Sequence, residues 1–269
     1  MLQIRHSTHY RYDPKADRAG LRLKLFPSST RAQEVEEWNV TINGQSITPL
    51  LTSPYGDGEA LWFSEGALSE IEIVAEGTVR LIDTAGVLGK MGPTPPSVFL
   101  RPTALTETDE AIAALADDVE GETDLARMHR LNALIHERMT YRKGVTKAET
   151  TAVEALALGA GVCQDMTHVF LAAARTLKLP ARYITGYLHD AEAEEPATHS
   201  WAEVHLDGLG WTGFDPTHEQ CPAAGHIRLC CGFDADDAAP IRGHISGEIE
   251  EEMDTSVAIT EAAQSQSQQ

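Results

Sequence analysis

The sequence predicts an α+β protein: a small β-rich N-terminal domain at 1–82, a Pro/Gly-rich linker at 83–105, a helix-then-sheet domain at 106–260 and a disordered tail at 261–269. Three observations point there. Period-two alternation dominates the first unit, apolar stripes at helical spacing fill 106–177, and short strand-like runs return from 181 onward.

In LQIRHSTHYRY, Leu2, Ile4, Tyr10 and Tyr12 share one parity, and Leu21, Leu23 and Leu25 repeat the alternation. VTINGQSI carries Asn43-Gly44, a tight-hairpin signal because both residues tolerate positive φ. EIEIVAEGTVRLI supplies a further strand or pair. Glycine and proline then accumulate in DTAGVLGKMGPTPPSVFLRPTAL, where regular structure is not expected. Thr106 and Asp109 have capping spacing before EAIAALADDV. Leu125, Met128, Leu131, Leu134, Ile135 and Met139 form the stripe of a second helix. A third, TAVEALALG, opens on Thr151 and Glu154 at capping-box spacing and stops at Gly159. After Cys163, the residues Met166, Val169, Phe170, Ala173 and Leu177 make one more stripe, closed by Pro180. ARYITGYL, HSWAEVHL and LGWTGFD read as strands, followed by HIRLCCGF and EEEMDTSVAITE.

The 269 residues, 42% of them hydrophobic, are enough to bury a real core. With 41 acidic against 21 basic side chains, the formal charge of −20 repels phosphate backbones, so no nucleic-acid partner is expected. No apolar run reaches membrane-spanning length and MLQIRHSTHYRYD lacks a signal-peptide pattern, so the reading is cytoplasmic with no membrane partner. Four cysteines, at 163, 221, 230 and 231, form neither a disulfide framework nor a paired zinc motif. No metal or other cofactor is expected.

Most cytosolic cysteines are small buried hydrophobes. Cys163 stands apart. Gly159 and Gly161 allow a tight turn just before it, and a helix begins at or beside it. The unpaired N–H groups of a first helical turn favour thiolate over thiol, and the same groups can hold an oxyanion. Cys163 is therefore the candidate nucleophile. Cys230 and Cys231 lie in a strand facing opposite ways and Cys221 in a loop, and all three read as structural.

A thiol nucleophile needs an imidazole, and the imidazole needs an orienting group. THSWAEVHLDGLGWTGFDPTH reads as two antiparallel strands that bring His199 at one end beside Asp215 at the other. Register decides whether they meet. A two-residue turn at Asp207-Gly208 sets them on opposite faces. A three- or five-residue connection pairs His205 with Trp211 and Trp201 with Asp215, leaving His199 diagonal to Asp215 on one face. A catalytic pairing requires that longer, odd connection, with Gly210 offering the left-handed residue.

GVCQDMTH followed by HSWAEVHLDGLGWTGFDPT resembles the transglutaminase-like superfamily, a family often described as cysteine proteases. The likeness extends through YRKGVT, TAVEALALGAGVCQD, LPARYITGYL and HIRLCCGFDADDAAPIRG, and the first eighty or so residues resemble the β-rich N-terminal region of bacterial members. The resemblance implies a papain-like core, with a catalytic helix packed on an antiparallel sheet and Cys163, His199 and Asp215 as triad. Acyl transfer through a Cys thioester follows. Water as acceptor gives a peptidase or amidase, the preferred reading. A lysine-like amine gives a transglutaminase, and a non-catalytic binding scaffold is the third reading. A protein or peptide is the implied substrate. Gln164 and Tyr141 are candidates for a second oxyanion donor beside the Cys163 N–H, and Trp201 either walls the site or packs in the sheet. Asp165 reads as a first-turn helix acid, His168 as structural. The short acidic loop HDAEAEEPAT, beside His199, is placed to shape a substrate cleft. Cys163 and His199 with His218 or His226 match no short zinc motif.

Overall fold

The computed structural model describes residues 1–189, 197–223 and 225–261. The tail beyond Glu261 and residues 190–196 of the acidic loop lie outside the described residues.

The N-terminal unit comprises β1 (Leu2–Ala16), β2 (Arg18–Phe26), β3 (Gln33–Ile42), β4 (Gln45–Ile47), β5 (Leu51–Thr52), β6 (Gly58–Phe63) and β7 (Leu68–Leu81). The β3–β4 hairpin turns at Asn43 and Gly44, both at positive φ, as the dipeptide predicts. EIEIVAEGTVRLI proves to be part of one long strand, β7, rather than a pair.

Residues 83–105 differ from expectation. They hold β8 (Val87–Gly89) and a 3-10 turn at Pro96–Leu100 whose Phe99 is fully buried against Trp211 and Phe233. Glycine and proline rule out a long element there but not short pieces fixed by tertiary contacts.

Next come α1 (Glu110–Asp117), α2 (Asp124–Arg138), β9 (Thr140–Tyr141), α3 (Ala152–Leu158), β10 (Ala160–Gly161) and α4 (Cys163–Thr176). Thr151 and Glu154 form the expected capping box of α3, and Gly159 ends it at φ 63°. The cap of α1 differs: Asp109 itself is the N-cap, accepting from the Ile112 N–H. Thr106 instead lies in a preceding 3-10 turn, where its hydroxyl accepts from the buried Arg175 guanidinium.

The strands β11 (Ala181–Leu188), β12 (Ala197–Leu206), β13 (Gly210–Phe214) and β14 (His226–Gly232) follow, then β15 (Ile241–Ser246) and β16 (Glu250–Glu261). The central sheet runs β14-β11-β12-β13-β8 and is antiparallel throughout. The apolar stripe of α4 (Met166, Val169, Phe170, Ala173) is buried with Ala202, Val204 and Phe214 of that sheet in one core.

β15 and β16 do not extend that sheet. β16 pairs with β1 along its length and β15 pairs with β2. The N-terminal sheets are therefore β16-β1-β7-β3-β4 and β15-β2-β6-β5. Their shared core also takes in Tyr187 and the β14 residues Ile227, Leu229 and Cys230. The last strands thus belong by pairing to the β-rich unit, which strand alternation alone could not reveal, because it says nothing of which partner a strand finds.

Candidate active site

Cys163 is the first residue of α4. The chain enters it under close control. Thr140 N–H bonds to the Gly159 carbonyl at 2.9 Å and Arg142 N–H to that of Gly161 at 2.7 Å, so β9 and β10 clamp the segment just before the cysteine. Asp165 Oδ2 reaches back to the Val162 N–H at 2.7 Å and also accepts from Thr146 Oγ1 at 2.7 Å. Position 161 must be glycine because a Cβ there would sit 2.5 Å from that carboxylate oxygen. Asp165, 1% exposed, is thus the helix-start acid expected.

β12 and β13 pair His205 with Trp211 and Leu206 with Gly210, around the three residues Asp207, Gly208 and Leu209. That is the odd connection a His–Asp pairing requires, with Gly210 at φ 77°. His199 Nε2 and Asp215 Oδ2 lie 2.8 Å apart, both side chains buried. The ring's other nitrogen, Nδ1, is left for the Cys163 sulfur, which lines the same cleft, and each group feels the other's charge. Trp201 is 2% exposed and stacks near the His199 ring at 6.1 Å between centroids. Gly186, paired with His199 across the sheet, makes room for that indole: a Cβ there would come within 2.6 Å of it.

Asp215 Oδ2 also receives His218 Nδ1 at 2.8 Å and His226 Nε2 at 3.0 Å, while Oδ1 accepts from the Thr217 N–H at 3.0 Å. The tautomer of His226 follows: its Nδ1 accepts from the Ala223 N–H at 3.3 Å, so Nε2 carries the proton donated to Asp215.

These contacts set the charges. Burial would push the Cys163 thiol up. The nearby His199, by its proton and its positive charge, outweighs burial, with Ser200 contributing less, and the thiol is held below its ordinary value. Burial would likewise deprotonate His199, but Asp215 and Cys163 raise it to about 10. Asp215 resists its own burial through His199, His218 and His226 and is held well below the usual carboxylate range. His226 is pushed down, chiefly by burial. All three directions favour a thiolate–imidazolium pair beside a carboxylate.

The other thiols contrast with it. Cys230 and Cys231 are fully buried and pushed up, Cys231 to about 12, and burial also raises Cys221. All four are free. His168 is buried, with Nε2 accepting from the Ala235 N–H, as a structural histidine would.

Gln164 and Tyr141 both adjoin Cys163. The Gln164 amide donates to the Ala148 carbonyl at 3.0 Å. Tyr141 sits opposite Gly161 in the short parallel pair and is 48% exposed; burial and the charge of Cys163 raise its hydroxyl. Cys163, Gln164 and His199 open into a cleft of about 480 Å³. Its opposite wall comes from the β-rich unit: His6, Thr8 and Tyr10 of β1 with Met253 and Thr255 of β16. Sequence reasoning missed that wall. The parity of Leu2 and Ile4 marks the same face of β1, but only the fold shows what it meets.

Sequence reasoning also missed the roles of His218 and His226 in holding Asp215. His218 had a local signal, lying three residues beyond an aspartate in a turn. His226 had none. His199, Asp215 and His218 bring donor atoms within 4.8 Å of one another, close enough to be tested as a metal site. Their mutual spacing is already that of hydrogen bonds, so a metal would have to displace the His199–Asp215 contact.

Residues 113–216 match the model of the transglutaminase-like superfamily, and residues 2–80 match that of the bacterial transglutaminase-like N-terminal region. The chain carries a transglutaminase-like core behind a bacterial transglutaminase-like N-terminal region. Among its relatives, the uncharacterized protein ML0607 of Mycobacterium leprae is 24% identical, the alignment covering 97% of this chain and 99% of the relative. The uncharacterized protein Rv2569c of Mycobacterium tuberculosis is 27% identical, over 90% of this chain and 87% of the relative. A crystal structure from Cytophaga hutchinsonii, of a candidate cysteine protease, superposes with a TM-score of 0.75 at 20% identity, covering 97% of this chain and 91% of that one. At that identity the likeness establishes the shared fold.

Proposed function

We propose that the chain is a thiol-dependent acyl-transfer enzyme that cleaves an amide or peptide bond through a thioester on Cys163. One arrangement carries the reading: the thiol at the start of α4 shares a cleft with an imidazole whose Nε2 is held on a buried carboxylate. The thiolate attacks the carbonyl carbon, and the oxyanion forms beside the first-turn N–H groups of α4. His199 gives its proton to the leaving amine as the tetrahedral centre collapses to the thioester. The neutral ring then takes a proton from water, the hydroxide attacks, and the carboxylate product leaves Cys163 as thiolate. Asp215 stays ionised throughout and keeps Nε2 of His199 engaged.

We assign the second oxyanion donor to the Tyr141 hydroxyl, which feels the charge of Cys163, rather than to Gln164, whose amide is already engaged by Ala148. The polar side chains on the cleft wall (His6, Thr8 and Thr255) admit water, which favours hydrolysis. A protein or peptide is the proposed substrate, with neither nucleic acid nor membrane as partner. Four free thiols fit a reducing cytoplasm. No helix among the described residues is long and apolar enough to cross a membrane.

Mass spectrometry of acid-quenched enzyme incubated with a library of glutamine and non-glutamine peptide amides, with and without an added amine, tests this. The expected species is an acyl adduct on Cys163 that decays to free acid. An amine conjugate as the sole product would make the chain a transamidase. No adduct with any peptide would refute acyl transfer.

A further inference from the structure

The outward face of the sheet β15-β2-β6-β5 shares no lining residue with the active-site cleft. Its inward residues are accounted for: Ala19, Leu21 and Leu23 are buried, and Ile241 and Ile245 pack on the same core. Strand alternation turns Arg18, Arg22 and Arg242 outward with Leu61 and Phe63. The register sets Arg22 directly between Arg242 on one side and Leu61 on the other, with Gly20 between His244 and Phe63. Glycine at position 20 makes the floor low, and the Phe63 ring lies across it: a Cβ there would come within 3.1 Å of that ring. The result is a concavity of about 610 Å³.

Two features of this face run against ordinary sheet chemistry. Arg22 and Arg242 are like charges directly opposite one another, an arrangement that destabilises a strand pair. Among the described residues, none of the three arginines forms an ion pair with a carboxylate, although the chain has 41 acidic side chains for 21 basic ones. Arg242 donates only to the Asp236 backbone carbonyl, at 3.2 Å. The neighbouring sheet shows the alternative. There Arg5 pairs with Glu76, Arg11 with Asp254, and Arg80 with Glu34 and Glu36, each across strands. On the β15-β2-β6 face, Glu65 at the rim is the one lining carboxylate, and Phe63 and Leu61 stand 68% and 45% exposed beside the arginines.

We propose that this face docks a partner protein through an extended acidic segment that carries apolar side chains. Carboxylates of the segment complete the three guanidiniums with charge-assisted hydrogen bonds and relieve the Arg22–Arg242 opposition. Its apolar side chains cover Leu61 and Phe63. The surface is concave, which suits an inserted chain better than the flat plane of a bilayer. A net charge of −20 opposes approach to anionic lipid or nucleic acid, whose charge is spread over a far larger area than one short segment.

Fluorescence anisotropy on the full chain tests this, using a short labelled peptide that alternates glutamate with leucine. A lysine–leucine peptide, phosphatidylglycerol vesicles and a single-stranded oligonucleotide serve as competing probes. The expected result is binding of the glutamate–leucine peptide that weakens with salt and falls about tenfold or more in Arg22→Glu with Arg242→Glu. Arg22→Gln with Arg242→Gln gives the same loss without charge reversal, should the first variant melt early. Phe63→Ser weakens binding several-fold, and Cys163→Ala leaves it unchanged. The proposal is overturned if no peptide binds, if binding survives both arginine variants and Phe63→Ser, or if the vesicles or the oligonucleotide bind more tightly than the acidic peptide.

Discussion

His199 and Glu203 lie four residues apart on one face of β12, and each anchors a buried cluster of charges. At Glu203 the cluster is closed. Oε2 accepts from Arg182 Nε at 2.7 Å and Oε1 from Arg228 Nε at 3.0 Å. Arg228 Nη1 continues to Asp57 Oδ1 at 3.0 Å, and Asp57 Oδ2 takes the Cys231 N–H at 2.9 Å. Arg182 also covers the Trp211 ring at 3.9 Å. Both carboxylates are satisfied on both oxygens, and the cluster ties the β-rich unit to the central sheet. At His199 the cluster is open. Three imidazoles crowd one oxygen of Asp215, Ser200 Oγ has no hydrogen bond of full geometry, and the far end is a thiol facing the cleft. Burying ions is costly unless each is fully paired, so the closed cluster tolerates burial and is costly to break. The open one keeps its charges only through mutual polarisation, and that is what a nucleophile needs.

The comparison breaks most sharply at Cys163, the proposed nucleophile. Cys163→Ala is expected to lower peptide-amide turnover by about 10⁴-fold or more while the urea midpoint stays near wild type, read by kinetics and denaturation on the same sample. Glu203→Ala inverts that pattern. Leaving Arg182 and Arg228 buried without their carboxylate costs on the order of 3–5 kcal/mol in stability, measured by urea unfolding. Tyr141→Phe removes the proposed second oxyanion donor and is expected to lower kcat by about 10²-fold with little change in KM. The smallest effect belongs to His226→Gln, which loosens Asp215 and costs about tenfold in kcat, roughly the worth of one hydrogen bond. A fall in melting temperature with kcat intact would instead make His226 a packing residue.

Much of this was legible in the sequence because it rests on local rules. The glycines before Cys163, the α3 capping box, the Asn43-Gly44 turn and the β12–β13 register all follow from conformational limits acting over a few residues. The register in particular turned one alternative about loop length into a statement about which face His199 and Asp215 share. What stayed hidden depends on partners distant in the chain. His226 lies 11 residues beyond Asp215 and reaches it only because β14 crosses to pair with β11. The return of β15 and β16 to the first unit, the cleft wall of His6, Thr8 and Tyr10, and the Asp57–Arg228–Glu203–Arg182 chain are likewise set by tertiary pairing. Local pattern carries no signal for such contacts.

The charge state of one sulfur is the most direct test. The difference in ultraviolet thiolate absorbance between the wild type and Cys163→Ala, followed across pH, isolates that thiol. With Cys163 held below its ordinary value and His199 raised to about 10, protonation removes the nucleophile on the acid side and loss of the imidazolium removes the general acid on the alkaline side. Turnover should therefore plateau between the two. The account predicts thiolate already present at neutral pH, ionising below the ~8.5 of a free cysteine, and a rise of that midpoint in His199→Ala, where burial acts unopposed. A midpoint at or above the free value, indifferent to His199, would contradict it.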